Sequence, residues 1–272
     1  MTQFEKKPEL IMKNFVMIGA PVTYVRTPDL LKDHFKNRGI EVEIETKHVE
    51  SSDLENFMNS MENNSAVDGL LVTMPHKKAV LKHLKSLSKA SLLLGSVNTI
   101  KRINSGGFTG TQFDGIALVN ALSKVGVPLK ETSILLAGAG GAGAAIALEL
   151  SKRCKMLALT DNESERAMSC ISMLSKHSHG NFKYLAGSEI KKTYYELLIN
   201  ATPLGMREGD PSPFDYELIS RANWVADIVY DPPMTALGSA ATKLGKSLIS
   251  GRDMVRGQIE PIGDWLLDCE VT

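Results

Sequence analysis

No apolar run in this sequence approaches the roughly 20 residues that a membrane-crossing helix needs, so a helical span is excluded. The first seven residues are polar and lack the apolar core of a secretion signal, which predicts a cytoplasmic protein with no membrane partner. There is no charge surplus: Lys+Arg and Asp+Glu are 31 each, so the basic footprint of a nucleic-acid binder is missing and no nucleic-acid partner is expected. Cysteine is sparse. Cys154, Cys170 and Cys269 show no C-x-x-C spacing, which points to reduced packing thiols rather than disulfides. His177 and His179 have neither an H-E-x-x-H frame nor a cysteine partner, so no metal site is expected. Internal repeats and low-complexity tracts are also missing. What remains is an ordinary globular composition, 43% hydrophobic and 23% charged, on 272 residues, a length that suits two modest domains.

The most informative stretch runs from Ile134 to Leu150. An apolar run, Ile134-Leu135-Leu136-Ala137, leads into Gly138-Ala139-Gly140-Gly141-Ala142-Gly143 and then an Ala-rich helical segment. Gly138, Gly140 and Gly143 fit G-x-G-x-x-G: a tight turn, a close backbone approach to a pyrophosphate, and close helix-to-strand packing. The helix start offers N–H donors to an anion. Asp161 follows 18 positions after Gly143, at the end of a second apolar run, where a ribose-binding carboxylate belongs. A dinucleotide site is the reading; a plain structural turn is the alternative.

Around that stretch the chain alternates strands and helices. Strands are expected at residues 15–18, around Val42 and Ile44, at 69–73 and at 97–103. Helices are expected after an N-cap at Thr27, from a capping box at Ser52-Asp53-Leu54-Glu55, and as a basic segment over 76–87. A helix over 114–125 connects to a second α/β series: strand 133–137, helix 141–152, strand 156–160, helix 163–175, strands 196–199, 224–227 and 247–249, and a closing helix 253–267. The predicted fold class is α/β, an N-terminal α/β domain over 1–113 completed by 253–272, and a Rossmann domain over 114–252. The last helix is expected to pack back on the first domain.

Two charged residues stand in unusual settings. Lys77 follows the strand-ending Thr73-Met74-Pro75, and Asp114 opens the connecting helix. A lysine and a carboxylate facing a nicotinamide can move a proton between oxygen and solvent while hydride moves at carbon. Taken with Val72-Thr73-Met74-Pro75-His76-Lys77, Val97-Asn98-Thr99, Asp114-Gly115, the glycine stretch, Asn200-Ala201-Thr202-Pro203-Leu204-Gly205-Met206, residues 227–230 and residues 251–258, the chain resembles the shikimate dehydrogenase family, including its quinate-using relatives. The resemblance implies a two-domain NAD- or NADP-linked dehydrogenase for a small cyclic hydroxy acid, as monomer or homodimer. It implies Lys77 as acid/base assisted by Asp114. It also implies substrate contacts at Thr27, Thr73, Asn98, Tyr230 and Gln258. Cofactor contacts fall at Gly138, Ala139, Gly140, Gly141, Ala142, Gly143, Asp161, Arg166, Thr202 and Gly251.

The sequence departs from the family pattern where the substrate is held. Val25-Arg26-Thr27 replaces Ser-x-Ser, Leu71 stands where an asparagine is usual, and Phe113 replaces a threonine. These changes add apolar bulk and remove a hydroxyl, so a dehydrogenase for a more apolar hydroxy acid is an alternative, as is a catalytically idle metabolite sensor. Arg26, if turned inward, would supply a guanidinium for a carboxylate. For the cofactor, Asp161-Asn162-Glu163 replaces the Asn-Arg-Thr of NADP-using members, and an acidic residue there accepts ribose hydroxyls and repels a phosphate. NAD is expected rather than NADP, with Arg166 as the feature that favours NADP.

Overall fold

Two six-stranded sheets organise the chain. The computed structural model describes residues 12–22 and 26–267. The strands are β1 (Lys13–Gly19), β2 (Val42–His48), β3 (Gly69–Val72), β4 (Ser86–Leu87), β5 (Thr99–Arg102), β6 (Phe108–Thr111), β7 (Ser133–Ala137), β8 (Met156–Thr160), β9 (Phe182–Tyr184), β10 (Leu197–Asn200), β11 (Trp224–Asp227) and β12 (Ser247–Ser250). The helices are α1 (Thr27–Asn37), α2 (Leu54–Asn63), α3 (Lys89–Leu94), α4 (Asp114–Lys124), α5 (Gly141–Leu150), α6 (Ser164–His177), α7 (Tyr216–Arg221), α8 (Ala236–Lys243) and α9 (Gly251–Leu267). Contacts divide the chain into a first unit, up to Ser86 with Val97–Gly110 and the chain from Ile262, and a second unit of Leu87–Ser96 and Thr111–Pro261.

The first sheet has the order β2-β1-β3-β5-β6-β4. β1 pairs in parallel with β2 on one side and β3 on the other, and β5 runs antiparallel to β3. β1 and β3 are buried runs, whereas β2 alternates, burying Ile44 and leaving its glutamates at the surface. Phe15, Ile18, Leu31, Phe35, Met58, Leu70, Leu71 and Ile100 are fully buried in this unit. Arg102 ties β5 to α2, donating through Nη2 to the Met61 carbonyl at 2.7 Å and through Nε to the Val67 carbonyl at 2.8 Å.

The second sheet has the order β12-β11-β10-β7-β8-β9, all parallel. The chain winds from β7 outward through β8 and β9, then returns to the other side of β7 with β10, β11 and β12. This doubly wound order places the topological switch point between β7 and β10. Both are fully buried strands, which suits an all-parallel sheet covered on both faces. Cys154 and Cys170 pack into this unit, and burial pushes both thiols up to about 11, as expected of packing cysteines.

Three local expectations fail, the first for a tertiary reason. The basic helix over 76–87 is instead a 3-10 turn at Ala79–His83 followed by β4, because the Lys85 N–H pairs with the Phe108 carbonyl and draws the chain into the sheet edge. The capping box does not form: Asp53 precedes α2 in a helical conformation without a side-chain cap, while its N–H bonds back to Glu50. Thr27 is the first residue of α1, 3% exposed, and the N-cap is Arg26. β4, β6, β9, α3, α7 and α8 lacked a clear sequence signal. They are short, and α3 becomes a helix by placing Ala90, Leu93 and Leu94 against the core of the second unit.

Helix α9 begins in the second unit and ends in the first. Gly257 lets it lie on α4, where an added Cβ would collide with the Ala117 carbonyl. Its last turns pack on α1, with Gly263 against His34, and Lys101 Nζ donates to the Trp265 carbonyl at 3.0 Å. Helix propensity alone would favour Gly257→Ala by about 1 kcal/mol. Overpacking against a backbone carbonyl costs about 1–3 kcal/mol and outweighs that gain. Gly257→Ala should therefore lower unfolding free energy by about 1–2 kcal/mol in urea titration; a stabilised variant would contradict the close contact.

Candidate active site

The first unit presents its predicted residues from the C-terminal ends of β1 and β3, the switch point of its sheet. Gly19 ends β1, and a Cβ there would strike the Thr73 methyl and approach the Met74 carbonyl to 3.0 Å. Glycine thus lets the two loops lie side by side. Thr73 is half-buried and its N–H bonds to the Ile18 carbonyl at 2.9 Å. His76 is 1% exposed and anchors the turn through Nε2 to the Val49 carbonyl at 2.7 Å. Lys77 follows, half-buried, its carbonyl accepting from the Val97 N–H at 2.9 Å. Asn98, next to Val97 in sequence, is buried, its Oδ1 accepting from the Thr99 hydroxyl at 3.0 Å.

The departures from the family pattern divide. Leu71 is 2% exposed in β3, a core residue, so it does not support the expectation of added apolar bulk in the pocket. Phe113 is the half-buried N-cap of α4. Arg26 is exposed and bonds Asp29 through Nε at 2.7 Å, so it does not turn inward. Val25 lies outside the described residues.

In the second unit the glycines sort by role. Gly138 has φ +98, and a Cβ on it would sit 2.6 Å from the Ala201 carbonyl oxygen; one on Gly143 would collide with the Gly138 carbonyl. These two are fixed by packing. Gly140 and Gly141, at the start of α5, face open space. A bare backbone with room in front of a helix N-terminus suits a pyrophosphate, so the residues present fit a dinucleotide.

Asp161 directly follows β8. Its side chain is 3% exposed. Oδ2 accepts from the Ala139 N–H at 2.7 Å and Oδ1 from the Glu163 N–H at 2.9 Å. The carboxylate therefore braces the glycine turn. Arg166 is partly exposed, pairs with Glu163, and lies 3.7 Å from Asp161 Oδ1.

A polar network without a counterpart in the sequence motifs' expected roles spans the ends of β10 and β11. Asn200 is fully buried. Its Nδ2 donates to Asp227 Oδ1 and to the Leu204 carbonyl, both at 3.0 Å. Its Oδ1 accepts from the Thr202 N–H at 3.0 Å and the Thr202 hydroxyl at 2.7 Å. Thr202 thus directs its only hydroxyl proton inward, and its Oγ1 accepts from the Leu204 N–H at 3.1 Å. Asp227 also accepts from the Thr235 hydroxyl at 2.6 Å and the Val229 N–H at 3.2 Å. Burial nonetheless holds its carboxyl above the usual range. The available signal was a polar residue closing an apolar strand, Leu-Leu-Ile-Asn and Val-Ala-Asp.

Asp114 opens α4 at 5% exposure, its N–H bonded to Gln112 Oε1 at 3.0 Å. Tyr230 lies beyond β11, with the Arg252 guanidinium 5.9 Å from its ring centroid. Gly251 allows α9 to start against the Val229 carbonyl, and Gln258 is buried further along that helix. Thr27, Thr73, Lys77 and Asn98 belong to the first unit, and Asp114, Tyr230, Gln258 and all the predicted cofactor residues to the second. Among the described residues, no group of acidic, histidine or cysteine side chains is placed to hold a metal.

A doubly wound parallel sheet with a glycine turn at its switch point defines the class, a Rossmann-type dinucleotide-binding fold joined to a second α/β unit. Comparison with known proteins gives the family. The profile of the shikimate dehydrogenase substrate binding domain matches residues 17–100. A shikimate dehydrogenase (NADP(+)) of Bacillus licheniformis is 31% identical over 245 residues, 89% of this chain and 87% of that protein. The shikimate dehydrogenase of Aquifex aeolicus superposes with TM-score 0.84 at 25% identity, covering 96% and 94% of the two chains. The quinate dehydrogenase of Corynebacterium glutamicum, solved in complex with NAD, gives 0.82 at 25% identity, covering 94% of each. This chain belongs to the shikimate dehydrogenase family, oxidoreductases acting on CH–OH groups.

The Asp227 network is open to test. Thr235 both donates to the carboxylate and caps α8 by accepting from the Gly238 N–H at 3.0 Å. Thr235→Val should cost about 2–3 kcal/mol, combining a lost cap with a lost bond to a charged group. The sign with pH follows from the raised carboxyl: the folded chain holds this proton to higher pH than the unfolded one, so ionisation erodes stability as pH rises through that window. Removing a donor to the charged form raises it further. Chemical denaturation should show a larger loss near neutrality than near about pH 4; an equal loss at both would place the effect on the cap alone.

Proposed function

We propose that this chain catalyses reversible, NAD(P)-linked oxidation of a secondary ring alcohol of shikimate or quinate type. The carrying observation is the chain-long similarity to both a shikimate and a quinate dehydrogenase, together with Lys77 and Asp114, the pair to which the family resemblance gives the acid/base work. The first unit is the substrate-binding unit in this reading, and Thr27, Thr73, Asn98, Tyr230 and Gln258 are the residues that the family resemblance assigns to the ring. The second unit holds the cofactor over Gly138–Gly143. When bound, the nicotinamide takes up or returns the hydride at the ring carbon. In oxidation, neutral Lys77 accepts the hydroxyl proton as the C–H bond yields its electron pair; in reduction, its ammonium gives that proton to the carbonyl oxygen. Asp114 assists this proton transfer and accepts a neighbouring ring hydroxyl, the role that the family resemblance implies.

NAD is the proposed cofactor in preference to NADP. The support is the acidic turn Asp161-Asn162-Glu163 after β8, where a ribose 2′-phosphate would meet like charge. The NADP(+) in the name of the Bacillus relative argues the other way, and the NAD complex of the quinate dehydrogenase argues for it.

Steady-state kinetics on shikimate and quinate with each cofactor tests this reading directly. Lys77→Ala should lower kcat by about 10²–10⁴-fold, the range for a lost acid/base, with unfolding unchanged. Oxidation releases one proton, so the equilibrium should move toward ketone about tenfold per pH unit. Absence of any nicotinamide absorbance change across a panel of cyclic polyols and hydroxy acids would overturn the assignment, as would a fully active Lys77→Ala variant.

A further inference from the structure

The turn after β8 carries acidic groups in two different settings. Asp161, at 3% side-chain exposure, is bonded to the Ala139 and Glu163 N–H groups and faces the glycine turn. Glu163, at 62%, stands in solvent and is ion-paired to Arg166, itself 44% exposed. Glu165 adds a further exposed carboxylate at the start of α6. In a doubly wound dinucleotide fold, the end of the second strand is where the adenosine ribose lies and where a 2′-phosphate would project. An arginine there binds phosphate by paired N–H bonds if its guanidinium is available. Here the guanidinium is engaged by a carboxylate that would also confront the incoming phosphate.

We infer that Glu163, by neutralising Arg166 and presenting its own charge, is the residue that excludes a ribose 2′-phosphate, and that Asp161 braces the glycine turn without selecting the cofactor. This rests on the reading of the second unit as a dinucleotide site. Three consequences separate the two carboxylates. Loss of the Glu163 charge removes the like-charge contact and releases Arg166 from its nearer carboxylate, leaving the 3.7 Å approach to Asp161 Oδ1. Loss of the Asp161 charge weakens the hold on the Ala139 N–H, which acts on NAD and NADP alike. The Glu163–Arg166 pair is exposed, and pairs of that kind contribute little to folding, so its removal leaves the protein intact.

The experiment uses the full-length chain and two sets of probes: NAD against NADP for binding and turnover, and adenosine 5′-diphosphate against adenosine 2′,5′-bisphosphate for binding alone. Glu163→Gln should tighten NADP and the 2′,5′-bisphosphate about tenfold or more relative to wild type, about 1.4 kcal/mol. NAD and the 5′-diphosphate should change by less than about threefold. Adding Arg166→Ala to Glu163→Gln should abolish the gain. Asp161→Asn should weaken both cofactors together. If Glu163→Gln leaves the NADP-to-NAD ratio unchanged while NAD still binds, the inference falls and the dinucleotide site stands. If Asp161→Asn alone raises the ratio, selection belongs to Asp161 and the inference also falls. A wild type that binds the 2′,5′-bisphosphate as tightly as the 5′-diphosphate overturns it as well. If wild type binds none of the four probes, the dinucleotide reading itself fails.

Discussion

Where β7 ends, backbone meets backbone with no room for a side chain. The Gly138 turn lies against Ala201 and Thr202 from the loop after β10, and Gly143 at the start of α5 lies against the Gly138 carbonyl. The glycine turn and the start of α5 are placed by this contact. It sets the start of α5 beside the switch point and leaves Gly140 and Gly141 open. It also brings the Ala139 N–H within reach of Asp161. Glycine is required at 138 both by φ +98 and by the space taken by Ala201. The same economy of space recurs at Gly115 against the Ala145 carbonyl and at Gly257 against Ala117, so α4 is held between two helices at backbone distance. Asp114, at the head of α4, takes its position from that packing.

The second organising element is polar. Asn200 and Asp227 close neighbouring strands, paired in register, and join their following loops through one carboxylate and one amide. Each donor in the chain from the Leu204 N–H through Thr202 and Asn200 points toward Asp227, as do Thr235 and Val229. A satisfied buried network of this kind fixes one arrangement, because any partner turned away would be left without a bond in a dry interior. The loop that carries Thr202 and the loop that carries Tyr230 are thereby set relative to each other within one unit. That explains why two short motifs far apart in sequence accompany the glycine turn.

How much was legible beforehand depended on the kind of signal. The buried strands β7, β8, β10 and β11 were readable to within a residue because a run of aliphatic side chains admits little else between two helical layers. The glycine fingerprint was readable because it is a steric code. The segment after Lys77 was not readable as a helix, since its fate rests on a partner, the Phe108 carbonyl, supplied from elsewhere in the chain. Leu71 looked like a pocket residue beside a functional motif and is core, because alternation in β3 is hidden when both faces are buried. Asp161 illustrates the same limit at the site. Its position after β8 predicts a ribose contact, but the two backbone N–H groups that its carboxylate accepts from could not be read from spacing.

The sequence by itself determined the fold class, the glycine turn, the family and the presence of Lys77 and Asp114, because each is written in local spacing or in the order of motifs. The tertiary structure alone decided which acidic group after β8 is buried and which is exposed, how Thr202 directs its hydroxyl, and what holds the ends of β10 and β11. Those are questions of burial and hydrogen-bond direction. They are settled only when strands distant in the chain lie side by side and each polar group must find a partner where water is excluded.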